Sequence, residues 1–535
     1  MQTKTLTGGQ ALVRLLANYG VDTVFGIPGV HTLELYRGLP GSGIRHVLTR
    51  HEQGASFMAD GYARVSGKPG ACFVITGPGV TNAATAIGQA YADSIPMLVI
   101  SSVNHTASLG KGWGSLHETQ DQRAITAPIT AFSAVALSAE DLPELIARAY
   151  AVFDSERPRP VHISVPLDVL AAPVNRDWSN DVVRRPGRGP ASNTAMEHAA
   201  TKLQNAKRPM IIAGGGALHA TQELQTISTR LAAPLFTSVA GKGLLPPDDP
   251  LNAGSSLCVE PGWNLIAEAD VVLAVGTEMA DTDFWRERLP LTAELLRVDI
   301  DPRKFNDFYP CAVALQGDAQ QTLAGLLERL PATDRDANAA IASVAKLRDA
   351  VKNSHGPLQS IHQSILERIA AELPDNAFIS TDMTQLAYTG NYAFNSRAPR
   401  SWLHPTGYGT LGYGLPAGIG AKFGAPNRPG LVLVGDGGFL YTAQELATAV
   451  EELDSPLVVL LWNNDALGQI RDDMLGLDIE PIGVLPRNPD FAALGRAFGC
   501  TVTQPQSLAE LQTDLRHGFK RNGVTLIELK HACAH

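Results

Sequence analysis

No stretch of this 535-residue chain is apolar for long enough to cross a bilayer. Its longest apolar runs, such as Pro456 to Trp462, are of strand length, well short of the ~20 residues a spanning helix needs. The opening MQTKTLTGGQALVRLLANYG is polar and then amphipathic, without the continuous apolar core of a secretory signal. Cysteine is sparse: Cys72, Cys258, Cys311, Cys500 and Cys533 are scattered, odd in number and nowhere spaced as CxxC. That speaks against a zinc site or a disulfide framework, and predicts reduced thiols in a cytoplasmic protein. Positive charge is in deficit, with a net charge of −10 and no basic patch interleaved with aromatics. Neither nucleic acid nor an anionic membrane is therefore an expected partner. Short-period repeats and low-complexity segments are also missing.

What is present is the balance of a globular protein, 44% hydrophobic and 18% charged. The length provides for three or four domain-sized units. The pattern predicts an α/β protein of three doubly wound parallel-sheet domains. The first, residues 1–180, carries strands such as ACFVITG and MLVISS and ends near PVHISVPLDVLAAPV. The second, 190–345, carries PMIIAGGG, VVLAVG and LLRVDID, and the third, 360–535, follows a charged, Ala-rich helical connector over 332–353. An Arg-, Pro- and Gly-rich linker over 175–193 separates the first two.

Chemistry enters in the third unit. An apolar strand, LVLV, ends in Gly435-Asp436-Gly437-Gly438, and after twenty-four further residues a second, PLVVLLW, ends in Asn463-Asn464. A helix is expected between them, from Thr442 to Leu453. Asp436 and Asn464 thus fall at strand C-terminal ends, where open α/β sheets bind ligands. A hard cation such as Mg²⁺ takes one or two protein oxygens and completes its shell with phosphate and water. Asp436, the Asn464 amide oxygen and the Ala466 carbonyl suit that role. The glycines let the backbone approach phosphate groups.

With this cradle the chain resembles, over nearly its full length, the thiamine-diphosphate-dependent enzymes of the acetohydroxyacid synthase, benzoylformate decarboxylase and pyruvate decarboxylase group. Two further segments carry the resemblance. Arg50-His51-Glu52-Gln53-Gly54-Ala55, followed by Met58-Ala59-Asp60-Gly61-Tyr62-Ala63-Arg64, matches the segment holding the family's activating glutamate, here Glu52. Gly407-Tyr408-Gly409-Thr410-Leu411-Gly412-Tyr413-Gly414 matches the segment that forces the cofactor into a bent shape. There Leu411 stands where the synthases usually have methionine, a volume-conserving change, and the Gly409 carbonyl matches the acceptor of the pyrimidine amino group.

The resemblance implies thiamine diphosphate and Mg²⁺ as cofactors, with Glu52, Gly409, Leu411, Gly435, Asp436, Gly437, Gly438, Asn464, Leu467 and Gly468 lining the cofactor. Asp436, Asn464 and Ala466 would hold the metal. Glu52 would stabilise the imino tautomer of the cofactor's pyrimidine, which activates the thiazolium carbon. The resemblance also implies a homodimer or homotetramer in which Glu52 of one chain serves the cradle of another. The Gly214-Gly215-Gly216 turn of the middle unit is weak as a nucleotide signal, and neither FAD nor ADP is expected there.

Three features bear on the substrate, a small 2-oxo acid. In the helix after the asparagines, Asp473 stands where the synthases place a tryptophan, with Asp472 beside it and Gln469 one turn earlier. Carboxylates there suit a cationic, guanidino-bearing tail, although an exposed pair complementing a helix dipole has the same appearance. His31 follows a glycine turn, Gly26-Ile27-Pro28-Gly29, and His117 replaces the amide or aromatic residue of the synthases. Either histidine could return a proton after CO₂ leaves. The expected activity is decarboxylation of a 2-oxo acid to an aldehyde. The alternatives are carboligation of the acetohydroxyacid synthase type and a cofactor-binding scaffold without turnover, against which the presence of Glu52 argues.

Overall fold

The structure, a computed structural model, describes residues 5–176, 178, 181–183 and 187–534. The linker expected over 175–193 lies partly outside the described residues. Three six-stranded sheets form in succession, and within each every strand pair is parallel. Central strands such as Met97–Val103, Gly430–Gly435 and Leu457–Asn463 are buried along their whole length. That is why they read as unbroken apolar runs: helices cover both faces of a parallel sheet. Leu6–Thr7 pairs antiparallel with Pro173–Val174 and closes the first domain.

The two outer sheets share one strand order. Numbered along the chain within each sheet, both run 2-1-3-4-6-5, whereas the central sheet runs 3-2-1-4-5-6. In the first sheet the order reverses between Thr23–Gly26 and Gly70–Val74, and in the third between Phe378–Thr381 and Gly430–Gly435. Crevices at such reversals, beyond the strand C-termini, are where α/β sheets take ligands.

Two expectations are revised. The helix expected over Thr442–Leu453 begins earlier: Asp436–Thr442 is already helical and Glu445–Glu452 forms a second segment. Gly437 and Gly438 therefore belong to a first helical turn, whose N–H groups have no intrahelical acceptor and can face an anion. The Ala-rich connector is the helix Asn338–Asn353, packed on the central domain through Val344, Leu347 and Val351. Its Arg348 guanidinium donates to the carbonyls of Asp249 and Asn252.

The outer domains meet through the helices Glu52–Ser66 and Gly414–Gly424. Their backbones touch. A β-carbon on Gly61 would lie 1.9 Å from the Ala417 carbonyl oxygen, and one on Gly420 would lie 1.9 Å from that of Met58. Only glycine allows this approach. Around it Tyr413 Oη donates to Asp60 (2.7 Å), and Arg64 bridges Asp60 and Asp93.

The central domain grips the third through one buried lysine. Lys242 Nζ donates to the carbonyls of Gly390 (3.1 Å), Asn391 (2.8 Å) and Phe394, at the C-terminal end of the helix Gln385–Ala393. Burial pushes its pKa down to about 7. Lys242→Met would take the lysine donor from the Asn391 and Phe394 carbonyls, while Gly390 keeps the Phe394 N–H. It is expected to cost about 2–4 kcal/mol, seen as a lower denaturation midpoint; an unchanged midpoint would remove this clamp from the account.

Candidate active site

The third domain presents one half of the candidate site. Asp436 and Asp382 follow neighbouring strands at the order reversal, and both are buried. The Asp436 carboxylate accepts Asn488 Nδ2 at 2.7 Å. That same amide lies 3.3 Å from Asn463 Oδ1 and 3.0 Å from Asp465 Oδ1, while Asn488 Oδ1 is buried with no partner. Burial raises the Asp436 pKa above the ordinary carboxylate range, against the hydrogen bond from Asn488. Asn464 Oδ1 accepts the Ala466 N–H at 3.2 Å, and Ala466 is buried.

These features suit a cation carrying a diphosphate. An uncompensated buried oxygen stands beside a carboxylate whose charge has no cationic partner among the described residues. No group of three or more His, Cys, Asp and Glu side chains is gathered for a metal among the described residues. The donor set is thus one carboxylate with amide and carbonyl oxygens, as Mg²⁺ accepts when phosphate completes its shell. The space is kept open by glycine: a β-carbon on Gly437 would come within 2.7 Å of the Leu467 side chain, and one on Gly438 within 2.7 Å of Asp382.

Asp382 and Asn488 are site residues the sequence reading missed. The Asp382 carboxylate accepts the backbone N–H groups of Met383 (2.8 Å), Gly412 (3.1 Å) and Gly414 (2.9 Å), and burial lifts its pKa to about 6. It pins the loop that presents Gly409, at φ +66°, and the half-buried Leu411. The loop's other side is held by the first domain. Gly407 N–H donates to Asp93 (2.7 Å) and Thr410 Oγ1 to Gln89 (3.1 Å). A polar residue ending the strand Phe378–Thr381 was the available signal for Asp382; Asn488 lies in an irregular segment and offered none.

The first domain presents the other half. Glu52 is the first residue of its helix, capped by His51, whose Nδ1 accepts the Gln53 N–H. Asn82 Nδ2 donates to Glu52 Oε2 at 3.0 Å. Below this turn lies Glu445 of the third domain, fully buried, which accepts the Arg50 N–H (3.1 Å) and Thr448 Oγ1 (2.9 Å); burial lifts its pKa to about 7. At this sheet's order reversal the structure brings His31 and His117 together, with ring centroids 5.2 Å apart, edge to face. His31 Nδ1 meets Thr76 Oγ1 at 3.0 Å, which itself donates to Ser102. Burial, and then the neighbouring His117, lower the His31 pKa. His117 is held at φ +61°, a strained backbone for a side chain of its size.

The acidic pair divides. Asp472 Oδ1 is bonded by the guanidinium of Arg471 (3.0 and 2.9 Å) and Oδ2 by Gln385 Nε2 (2.9 Å). Gln385 also reaches back to Asn464. Asp473 is exposed and receives only the neutral Gln469 amide, at 2.9 Å. Among the described residues no cation is paired with it.

The Glu52 carboxylate is hydrogen-bonded within its own domain, by Asn82. Apolar side chains stand exposed beside each half: Val30, Leu33, Trp113 and Leu116 near the histidines, and Leu440, Tyr441 and Ile470 near the cradle. Separately, a cavity of about 430 Å³ opens where the central sheet meets its neighbours, lined in part by Gly215, Gly216 and Gly276 at its order reversal. Charges of both signs face it, including Arg157 with Glu278 and the half-buried Asp283, whose pKa desolvation lifts to about 7.

Comparison with known proteins agrees with this division. Residues 6–125 match the family model "Thiamine pyrophosphate enzyme, N-terminal TPP binding domain", 196–326 match its central domain and 382–529 its C-terminal TPP binding domain. The chain is 82% identical over 531 residues to "Probable 2-ketoarginine decarboxylase AruI" of Pseudomonas aeruginosa, covering 99% of this chain and 95% of that protein. It is 31% identical to the acetolactate synthase isozyme 1 large subunit of Escherichia coli, covering 98% and 94%. It is also 31% identical to the "Probable acetolactate synthase large subunit" of Methanocaldococcus jannaschii, covering 98% and 92%.

Proposed function

Since this chain belongs to the thiamine pyrophosphate enzyme family, we propose that it removes CO₂ from 5-guanidino-2-oxopentanoate (2-ketoarginine) and releases 4-guanidinobutanal, a step in arginine catabolism. When bound, thiamine diphosphate supplies the electron sink that lets a 2-oxo acid lose its carboxylate. Asp436, the Asn464 amide and the Ala466 carbonyl would hold Mg²⁺, which would supply charge to balance the diphosphate. Leu411 and the Gly409 carbonyl fix the cofactor's shape, and Asp382 fixes the loop that carries them. Glu52, bonded by the Asn82 amide, would be the group that shares a proton with the cofactor's pyrimidine. The carboxylate and the cradle belong to different chains of a dimer, whose interface covers the apolar side chains exposed beside each half.

A proton must replace the departing CO₂ on carbon. The His31–His117 pair, whose rings lie edge to face 5.2 Å apart, is assigned that step. The single observation that carries the substrate reading is Asp473, an exposed carboxylate on the helix after the cradle that is paired with no cation among the described residues. The name of the 82%-identical relative supports the same substrate.

The test is CO₂ release from 2-ketoarginine, neutral analogues of its length, benzoylformate and pyruvate, with Mg²⁺ and thiamine diphosphate supplied. Preference for 2-ketoarginine with aldehyde as product is expected. Pyruvate converted to acetolactate would instead place the chain with the synthases. A companion prediction concerns Asp473→Ala, which should raise KM for 2-ketoarginine by about 30-fold, the low end for a charge left unmatched, and alter KM for a neutral 2-oxo acid far less. Equal effects on both would reduce Asp473 to surface charge.

A further inference from the structure

Trp285 of the central domain has no place in the account so far, and its setting is a costly one. Its side chain is 60% exposed, and its backbone is held at φ +50°, left-handed, where a bulky residue is strained. It ends the short helix Asp281–Phe284, its N–H bonded to the Asp281 carbonyl at 2.7 Å. The indole is thereby turned out of the central domain toward the third. There its ring lies 6.4 Å from that of Tyr388, with the planes tilted by 57°. Two aromatic faces at that angle form an open wedge rather than a packed stack.

The wedge adjoins the cradle. Tyr388 lies on the helix Gln385–Ala393, one turn beyond the Gln385 that touches Asn464 and Asp472. Asp473 follows Asp472 on the helix Gly468–Gly476, and Asp472 is held at 2.9 Å by Gln385 on the Tyr388 helix, so the two helices meet here; burial, then the carboxylates of Asp382 and Asp473, raise the Tyr388 pKa to about 12. The nearby cations are engaged elsewhere. Arg286 lies over the Trp263 ring at 4.5 Å, and Arg471 is bonded to Asp472. Two π-faces and one carboxylate that no cation among the described residues pairs with are therefore gathered at one place.

We propose that the wedge of Trp285 and Tyr388, with Asp473 at its side, is the seat of the substrate's guanidinium. This rests on the guanidino 2-oxo acid reading above. A guanidinium is planar and weakly hydrated, stacks on aromatic faces within about 6 Å of the ring centroid, and bonds a carboxylate through parallel N–H groups. A ureido group has nearly the same shape but no charge, so it lacks the cation–π attraction and the charge assistance to the carboxylate bond. The central domain thus contributes Trp285 to the tail site, beside Tyr388 and Asp473 of the third domain.

The experiment compares kcat/KM for 5-guanidino- and 5-ureido-2-oxopentanoate in the full-length holoenzyme, wild type and with Trp285→Leu, Trp285→Phe and Tyr388→Leu. The wild type should prefer the guanidino acid. Trp285→Leu and Tyr388→Leu should each shrink that preference about tenfold, the size of a partly desolvated cation–π contact, and Trp285→Phe should restore most of it. Cofactor half-saturation, measured alongside, reports that the leucine variants are folded. A preference kept within twofold in both leucine variants, or a parallel loss for both acids, overturns the wedge and leaves the substrate reading standing. A wild type that turns over neither acid, or both alike, overturns the substrate reading and the wedge with it.

Discussion

Glu52→Gln is expected to lower kcat by about 10²–10⁴-fold, the range over which a positioned proton-sharing group acts, while the protein stays folded and keeps much of its affinity for thiamine diphosphate. The substitution is isosteric, and the residue's place at the first turn of the helix Glu52–Ser66 survives it, because His51 caps that turn and the buried Glu445 accepts the Arg50 N–H beneath it. The Asn82 amide that donates to Glu52 Oε2 finds an acceptor in the glutamine oxygen. What disappears is a group able to share a proton with the pyrimidine. Turnover and cofactor half-saturation measured on the same preparation separate the two effects. Wild-type turnover would remove Glu52 from the mechanism, and a collapse of cofactor affinity in step with kcat would make it a binding group instead.

The parts of this site that could be read from the chain are those where chemistry follows a strand immediately. Asp436 and Asn464 end apolar runs, so the local pattern alone placed both at strand C-termini. The glycines beside Asp436 concealed the start of the helix Asp436–Thr442, since glycine favours a turn wherever no tertiary contact opposes it. Strand order was out of reach. Whether a sheet runs 2-1-3-4-6-5 or 3-2-1-4-5-6 depends on which way each crossover travels, and no local pattern encodes that. Asp382 was hidden for a related reason: its partners are backbone N–H groups about thirty residues away, invisible until the loop closes on it. Glu445 begins a helix where an acidic residue ordinarily meets solvent, yet the packing of the outer domains buries it completely. His31 and His117 carry no sign in the sequence of lying edge to face; the first sheet's order reversal brings them together.

Asp436→Ala should raise the thiamine diphosphate concentration needed for half-activity by at least about 100-fold, because loss of a second-sphere partner alone costs 10–100-fold at metal sites and Asp436 is the only carboxylate in the proposed shell. Added Mg²⁺ should recover little of it, since the Asn464 and Ala466 oxygens are neutral and Asn488 loses the group it donates to. Unchanged cofactor and Mg²⁺ dependence would move the cation away from this strand end. Paired with Glu52→Gln, the variant also tests how the chain assembles. If Glu52 serves the cradle of a partner, a mixed dimer holds one doubly defective site and one with both groups intact. Co-expression of the two inactive variants at equal levels, followed by random pairing, should then return about a quarter of wild-type activity. If each chain completed its own site, every site in the mixture would carry a defect and activity would stay at the level of the separate variants. The hydrogen bond of the Glu52 carboxylate within its own chain, from Asn82 of the same domain, is compatible with the first outcome.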